Sequence, residues 1–155
     1  MSYKIINLPA DSTEISEMSA SLHSDLELRY GKGSIEEFIE ENKRMIIFFA
    51  AVDDENIAAA CGALRHFDDV TAEIKRMYVK DVYRGRGLSK LILKELEDTA
   101  LRMNYRRIVL ETGLKQPEAM SLYEKFGYTK IKPYGKHKDD PDSVCYEKLI
   151  QPRSS

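Results

Sequence analysis

Between Met45 and Val79 three apolar runs of strand length follow one another, separated only by Asp53-Asp54-Glu55-Asn56 and by Asp68-Asp69. Directly after the third, the chain passes through Arg84-Gly85-Arg86-Gly87 into a segment whose leucines recur at helical spacing. Acidic connections this short allow only antiparallel hairpins, so Met45–Val52, Ile57–Phe67 and Ala72–Val79 read as a meander. The helix predicted from Gly87 to about Met103 carries Leu88, Leu91, Leu96, Ala100 and Met103 as its stripe, and a short apolar strand, Arg107–Glu111, follows it. Strand, helix, strand is a crossover, and a crossover sets its two strands parallel. A largely antiparallel sheet must therefore contain one parallel step, beside the glycines.

The flanks complete a mixed α/β architecture. Ile15, Met18, Leu22 and Leu26 recur at helical spacing between Asp11 and about Tyr30, where Gly31 and Gly33 end the pattern. Ser34 and Glu37 have capping-box spacing and open a second helix running to about Asn42. A last helix is expected from Pro117 to Phe126, stopped by Gly127, and a final strand pair over 128–132 and 144–150. That makes about four helices around one sheet. No repeat or linker divides the chain, so residues 1–150 read as a single domain, with 151–155 a short tail. The chain has 155 residues, 43% hydrophobic, enough for a core without metal or disulfide staples. No stretch approaches membrane-spanning length or a leader peptide, which makes the cytoplasm the expected compartment and excludes a membrane partner. Cys61 and Cys145 are far apart and read as reduced thiols.

Charge is balanced in total but not along the chain. Residues 1–70 hold six basic and fourteen acidic side chains, and residues 71–130 hold thirteen and eight. An anionic ligand belongs to the basic middle. There, Arg84, Arg86 and Lys90 surround the glycines ahead of a helix N-terminus, whose free amides already attract phosphate. The span from Val79 to Lys90 reads as a pyrophosphate site. It is neither a Walker loop, for want of Gly-Lys-Ser/Thr, nor a dinucleotide fingerprint, because Lys90 stands where the third glycine belongs. The three histidines lie in different elements without ligand spacing, so no metal is implied, and Tyr105-Arg106-Arg107 lacks any nucleic-acid reader motif.

Taken in order, these segments resemble the GNAT superfamily of acetyl-CoA-dependent N-acetyltransferases. Arg84, Gly87 and Ser89 match its Gln/Arg-x-x-Gly-x-Gly/Ala signature, with Ser at the last small position. Ala72–Val79 is similar to its fourth strand, and Gln116-Pro117-Glu118-Ala119 through Leu122-Tyr123 to Gly127-Tyr128 is similar to its Asn-x-x-Ala…Leu-Tyr…Gly-Phe/Tyr stretch, with Gln116 in place of Asn. The resemblance covers most of residues 57–130. It implies a central parallel strand pair splayed apart, with acetyl-CoA filling the gap. Backbone groups of Met77 and Val79 would then meet pantetheine. Arg84, Gly85, Arg86, Gly87, Leu88, Ser89 and Lys90 would hold the pyrophosphate, Gln116 would hydrogen-bond the cofactor, and Lys125 would meet the 3′-phosphate.

Acetylating an amine needs a base, because an alkylammonium has no lone pair, and an acid for the departing thiolate. Glu73, whose place six residues before Val79 resembles that of the glutamate base in histone-acetylating members of the superfamily, is the expected base, with Glu111 and His66 as fallbacks. Tyr123 occupies the family's acid position, and a phenol is protonated at neutral pH without any shift. An acyl-cysteine route through Cys61 is disfavoured, since a thiol in an apolar strand behaves as core. The acceptor is expected to be a small-molecule or peptide amine walled by Arg29, Tyr30, Arg65 and Tyr134. Those arginines suggest a carboxylate on the acceptor, whereas the acidic front of the chain points toward polyamines or lysine-rich targets. A non-catalytic acyl-CoA-binding regulatory domain on the same fold is the alternative, and the resemblance allows a homodimer.

Overall fold

The computed structural model describes residues 2–31 and 33–151, so Lys32 and the end of the expected tail, 152–155, lie outside the described residues. Seven strands among them form one sheet: β1 (Lys4–Leu8), β2 (Ile47–Val52), β3 (Ala58–Asp68), β4 (Thr71–Val79), β5 (Arg107–Gly113), β6 (Thr129–Ile131) and β7 (Ser143–Leu149). Four α-helices flank it: α1 (Thr13–Tyr30), α2 (Ile35–Glu41), α3 (Leu88–Arg102) and α4 (Pro117–Lys125). The strand order is β1-β2-β3-β4-β5-β7-β6, and every pairing is antiparallel except β4 with β5. The meander and its parallel step stand as the residue pattern required.

β1 is the element that the residue pattern left unassigned. Its apolar residues are few and partly exposed, and it holds an edge of the sheet by pairing Lys4 with Val52 through Leu8 with Phe48. A five-residue edge strand carries little periodic signal, because only one neighbour orders it.

Small residues let the layers close. β3 opens Ala58-Ala59-Ala60-Cys61-Gly62-Ala63, all buried. A Cβ built at Gly62 would lie 2.5 Å from Cγ2 of Ile92 and 2.7 Å from Sδ of Met77, so glycine is what allows α3 to pack this close to the sheet. On that face Leu88, Ile92, Leu93, Leu96 and Ala100 of α3 join Ala72, Ile74, Ile108, Leu110 and Tyr123. On the other face Ile15 and Met18 of α1 cover Phe48, Ala50, Val52, Cys61 and Ala63. The Ser12 and Ser34 hydroxyls cap α1 and α2 by accepting from the amides of Ile15 and Glu37, each at 3.2 Å.

The parallel pair is paired for only part of its length. Thr71 to Ile74 run in register with Arg107 to Leu110, and there the ladder ends. The cause lies one residue beyond Lys75. Arg76 has φ of 61°, and between the pairs Cys61↔Tyr78 and Ala63↔Lys75 β4 carries one more residue than β3, a bulge that bends β4 away from β5. A left-handed arginine needs support. Its guanidinium is buried, donating to Oδ1 of Asn42 at 2.9 Å and to the carbonyl of Phe38 at 3.0 Å. It also pairs with Glu41 at 3.3 Å and lies over the Phe38 ring, centred 3.6 Å away. α2 thus holds the bulge in place.

Candidate active site

The divergence of β4 and β5 opens a cleft of about 750 Å³ that runs from the loop before α3, through the gap in the sheet, to the face carrying α1 and α2. Its first wall is backbone. The Lys80 amide donates to Ala59 of β3 at 2.9 Å, so by strand alternation the groups of Tyr78 also face β3 while those of Met77 and Val79 face the gap. Among the described residues no strand lies on that side beyond Ile74. The exposed inner edge therefore offers hydrogen-bond donors and acceptors to an extended ligand.

The edge leads straight into the glycine loop. Gly85 and Gly87 have φ of 81° and 75°, and a Cβ on either would meet no protein atom within 4 Å. Conformation rather than crowding by the protein selects glycine there. Gly87 caps α3 without a side-chain hydrogen bond, so the first-turn amides of Leu88, Ser89 and Lys90 have no side-chain acceptor over them. These amides, with the cationic Lys90 beside them, suit a diphosphate. Arg84 lines the cleft, but its charge is engaged: Nε donates to the carbonyl of Val79 at 3.2 Å, and Nη2 meets Asp81 at 2.9 Å and Asp25 at 3.3 Å. Arg86 turns away, donating to the Tyr3 hydroxyl at 2.8 Å.

The side chains of the gap come from both faces of the sheet. Tyr123 reaches it from α4 and is buried among Tyr128 and Tyr146, yet its hydroxyl has no hydrogen-bond partner among the described residues. Burial, and then the charge of Glu111, push its pKa up, so it stays a proton donor. Glu111 lines the cleft from β5. Its carboxylate accepts from the Ser143 hydroxyl at 2.9 Å, and burial raises its pKa against the opposing effects of Ser143 and Lys75. His137 stands 4.0 Å from that carboxylate, with its own pKa lowered by burial and by Lys75 and Lys136.

Glu73 sits differently. It lies on the same face of the sheet, 5% exposed, and its carboxylate accepts a 2.6 Å hydrogen bond from the Tyr134 hydroxyl. Neither residue lines the cleft. Arg65, directly across from Glu73 on β3, pairs instead with Glu41 at 3.2 Å and is also outside the lining. His66 is turned to Tyr105, at 2.7 Å. Arg29 lines the cleft, but it donates to the Lys115 carbonyl at 2.7 Å and pairs with Glu118 at 2.9 Å. Tyr30 fills the space a Cβ on Gly113 would need and donates to Oε1 of Gln116 at 3.3 Å. The end of α1 therefore clamps the loop that carries Gln116, whose side chain lines the cleft. Lys125 is on the outer face of α4, beside Ser121 and Glu124.

Among the lining residues that the reading of the sequence did not place at the site are Lys75, Lys136 and His137. Lys75 carried a signal, being two residues past Glu73 on the same strand face. The others sit in a loop whose path only the fold supplies. Leu22 and Leu26, read as core stripe, instead form part of the cleft wall. Cys61 is buried, donates to the Arg76 carbonyl at 3.4 Å and has its pKa pushed up to about 12 by burial, which leaves no thiolate for covalent catalysis.

The model of the acetyltransferase (GNAT) family matches residues 10–128. The uncharacterized N-acetyltransferase YsnE of Bacillus subtilis is 33% identical over 107 residues, which are 68% of this chain and 70% of that protein. Among solved structures, a proposed acyl-CoA N-acyltransferase of Klebsiella pneumoniae superposes with a TM-score of 0.82 at 26% identity, over 96% of this chain and 98% of its own. A GNAT family acetyltransferase of Elizabethkingia anophelis with acetyl-CoA bound gives 0.77 at 19% identity, over 96% and 98%.

Proposed function

Because this chain belongs to the GNAT acetyltransferase family, we propose that it transfers the acetyl group of acetyl-CoA directly to a primary amine bound beside Glu111, in a ternary complex. The observation that carries this reading is the inner edge of β4, which no strand of the described residues covers past Ile74, running into the uncapped, glycine-bounded start of α3 within one cleft. Pantetheine pairs with Met77 and Val79 as an added strand would. The pyrophosphate rests on the amides of Gly85 to Ser89, with Lys90 supplying charge and Gln116 an amide to the cofactor.

The proton steps divide between the two faces. The acceptor arrives as ammonium and must give up a proton before nitrogen can attack the thioester carbonyl. Glu111 takes that proton, directly or through one water. Its raised pKa brings it nearer the operating pH, where a base is more effective. Glu73, behind Tyr134, serves as the second carboxylate of the same hydrogen-bonded wall. As the carbon–sulfur bond breaks, Tyr123, whose hydroxyl has no competing acceptor among the described residues, protonates the thiolate, and the second proton that the attacking nitrogen sheds returns the tyrosinate to phenol through solvent.

The test joins calorimetry to turnover. Acetyl-CoA should bind the purified protein where ATP and NAD do not, and an amine panel scored by thiol release should give turnover that Glu111→Gln and Tyr123→Phe each lower by about a hundredfold or more with acetyl-CoA affinity retained. Binding with no turnover on any amine would favour the non-catalytic acyl-CoA domain. Absence of binding to folded protein would refute the assignment of the cleft.

A further inference from the structure

We infer that Lys75 and Lys136 hold a carboxylate of the acceptor, so that the amine acetylated is that of an amino acid or a similar small amino-carboxylate. This rests on the acetyltransferase reading and names its substrate class. β4 and β5 stay in register through Ile74 and Leu110, so Lys75 and Glu111 are the next residues on the two diverging strands. Ile74 and Leu110 point into the core under α3, which turns both Lys75 and Glu111 to the opposite face, where they line the cleft. An ammonium and a carboxylate so placed in a closed ladder would be cross-strand partners. Here the fork separates them, and Lys75, although half-buried, forms no ion pair with a described residue.

The surroundings sharpen the asymmetry. The remaining nearby cleft carboxylate, Glu41, is already shared by Arg65 and Arg76. Against burial, which would raise it, the charges of Lys136, Lys75 and Arg76 hold the Glu41 carboxyl below its ordinary value. Burial lowers Lys75 below the ordinary lysine value; Glu73, and more weakly Glu41, oppose this, while the neighbouring Lys136 and Arg76 add to it, so Lys75 shares its surroundings with two further cations. One side of the acceptor cleft is thus positive and the other carries Glu111. An amino-carboxylate has the reverse polarity: its carboxylate meets Lys75 and Lys136 while its ammonium meets Glu111, which must deprotonate it. A polyamine or a lysine side chain would bring only positive charge to the lysine pair and leave it uncompensated.

Binding and turnover test this separately. With the protein saturated in CoA, each of the twenty L-amino acids and its carboxamide is titrated by calorimetry. At least one acid should bind, and its amide should bind about ten- to a hundredfold more weakly, as expected for losing hydrogen bonds to a charged group. Lys75→Met and the exposed Lys136→Met should each erase that preference, with Lys75→Arg restoring part of it and acetyl-CoA affinity unchanged throughout. No acid binding, equal binding of acid and amide, or a preference that survives both methionine variants overturns the assignment. If thiol release shows acetyl transfer to amides or simple alkylamines in that case, the acetyltransferase reading stands without the carboxylate site. Acid-selective binding without transfer to any amine would do the reverse.

Discussion

Replacing Gly87 by alanine should separate the loop's conformational role from its role toward the cofactor. Gly87 has φ of 75°, and an added Cβ would meet nothing of the protein within 4 Å, so the cost to folding is backbone strain alone. A non-glycine residue in the left-handed region costs about 1–2 kcal/mol, offset by about 0.4–1 kcal/mol because alanine stiffens the unfolded chain. The net loss is about 1 kcal/mol, a fall in Tm of about 2–4 °C for a chain this long. Binding should suffer far more. The methyl group would enter the open space at the start of α3, where the pyrophosphate is proposed to rest, and removing one charge-assisted hydrogen bond from a phosphate weakens affinity by roughly ten- to a hundredfold. The control is Gly127→Ala, which imposes comparable strain at φ of 91° and meets only Cε of Lys148 at 3.7 Å, away from the loop. Calorimetric titration with acetyl-CoA, beside thermal melts of both variants, measures the two effects. If Gly87→Ala melts as expected yet binds acetyl-CoA within about twofold of the parent, or if Gly127→Ala loses as much affinity, the pyrophosphate is not on this loop.

Tyr123→Phe should lower kcat by about a hundredfold or more with Tm and cofactor affinity preserved, because the hydroxyl makes no hydrogen bond with a described residue; an unchanged kcat would remove its role as acid. Glu111→Gln should abolish the acid limb of the kcat/KM profile, which in the parent lies above the ordinary glutamate value because burial raises the pKa of Glu111. A raised carboxyl stabilises the native state below its unfolded pKa and loses that contribution as pH rises through the folded value, so at pH 7 this variant should melt no lower than the parent. Tyr134→Phe should destabilise by about 1.5–3 kcal/mol by stranding the buried Glu73 carboxylate, and adding Glu73→Gln should recover part of it; additive losses in a double-mutant cycle would show the 2.6 Å hydrogen bond to be immaterial. Neither thiol of the native protein should react readily with an aromatic disulfide reagent, since both cysteines are buried and burial raises both pKa values, whereas both should titrate after unfolding.

Much of the fold was legible because it rests on local signals. Apolar runs with acidic turns dictate β2, β3 and β4, apolar spacing dictates α1, the leucine stripe dictates α3, and Ser34 marks the start of α2 as a cap. The glycine loop was legible too, because a run of Arg and Gly between a strand and a helix has few other uses. β1 was not, since a short edge strand is ordered by the neighbour it finds rather than by its own period. The expected base shows the same limit from the other side. Glu73 and Glu111 share one sheet face, and only the end of the β4–β5 ladder after Ile74 and Leu110, with Tyr134 lying over Glu73, distinguishes the carboxylate that meets the cleft from the one behind it.

What the sequence by itself determined is the order of the helices and of the strands after β1, the parallel step and the glycine loop before α3, all of them consequences of residue periodicity and of glycine's access to positive φ. The tertiary structure alone decided where the sheet opens. That depends on a left-handed Arg76 stabilised by Asn42, Phe38 and Glu41, residues more than thirty positions away whose hydrogen bonds and charge compensate its strain. From that bulge follow the separation of Lys75 from Glu111 and the meeting of Tyr123 with the opposite face. Such contacts join distant parts of the chain, and no local period records them.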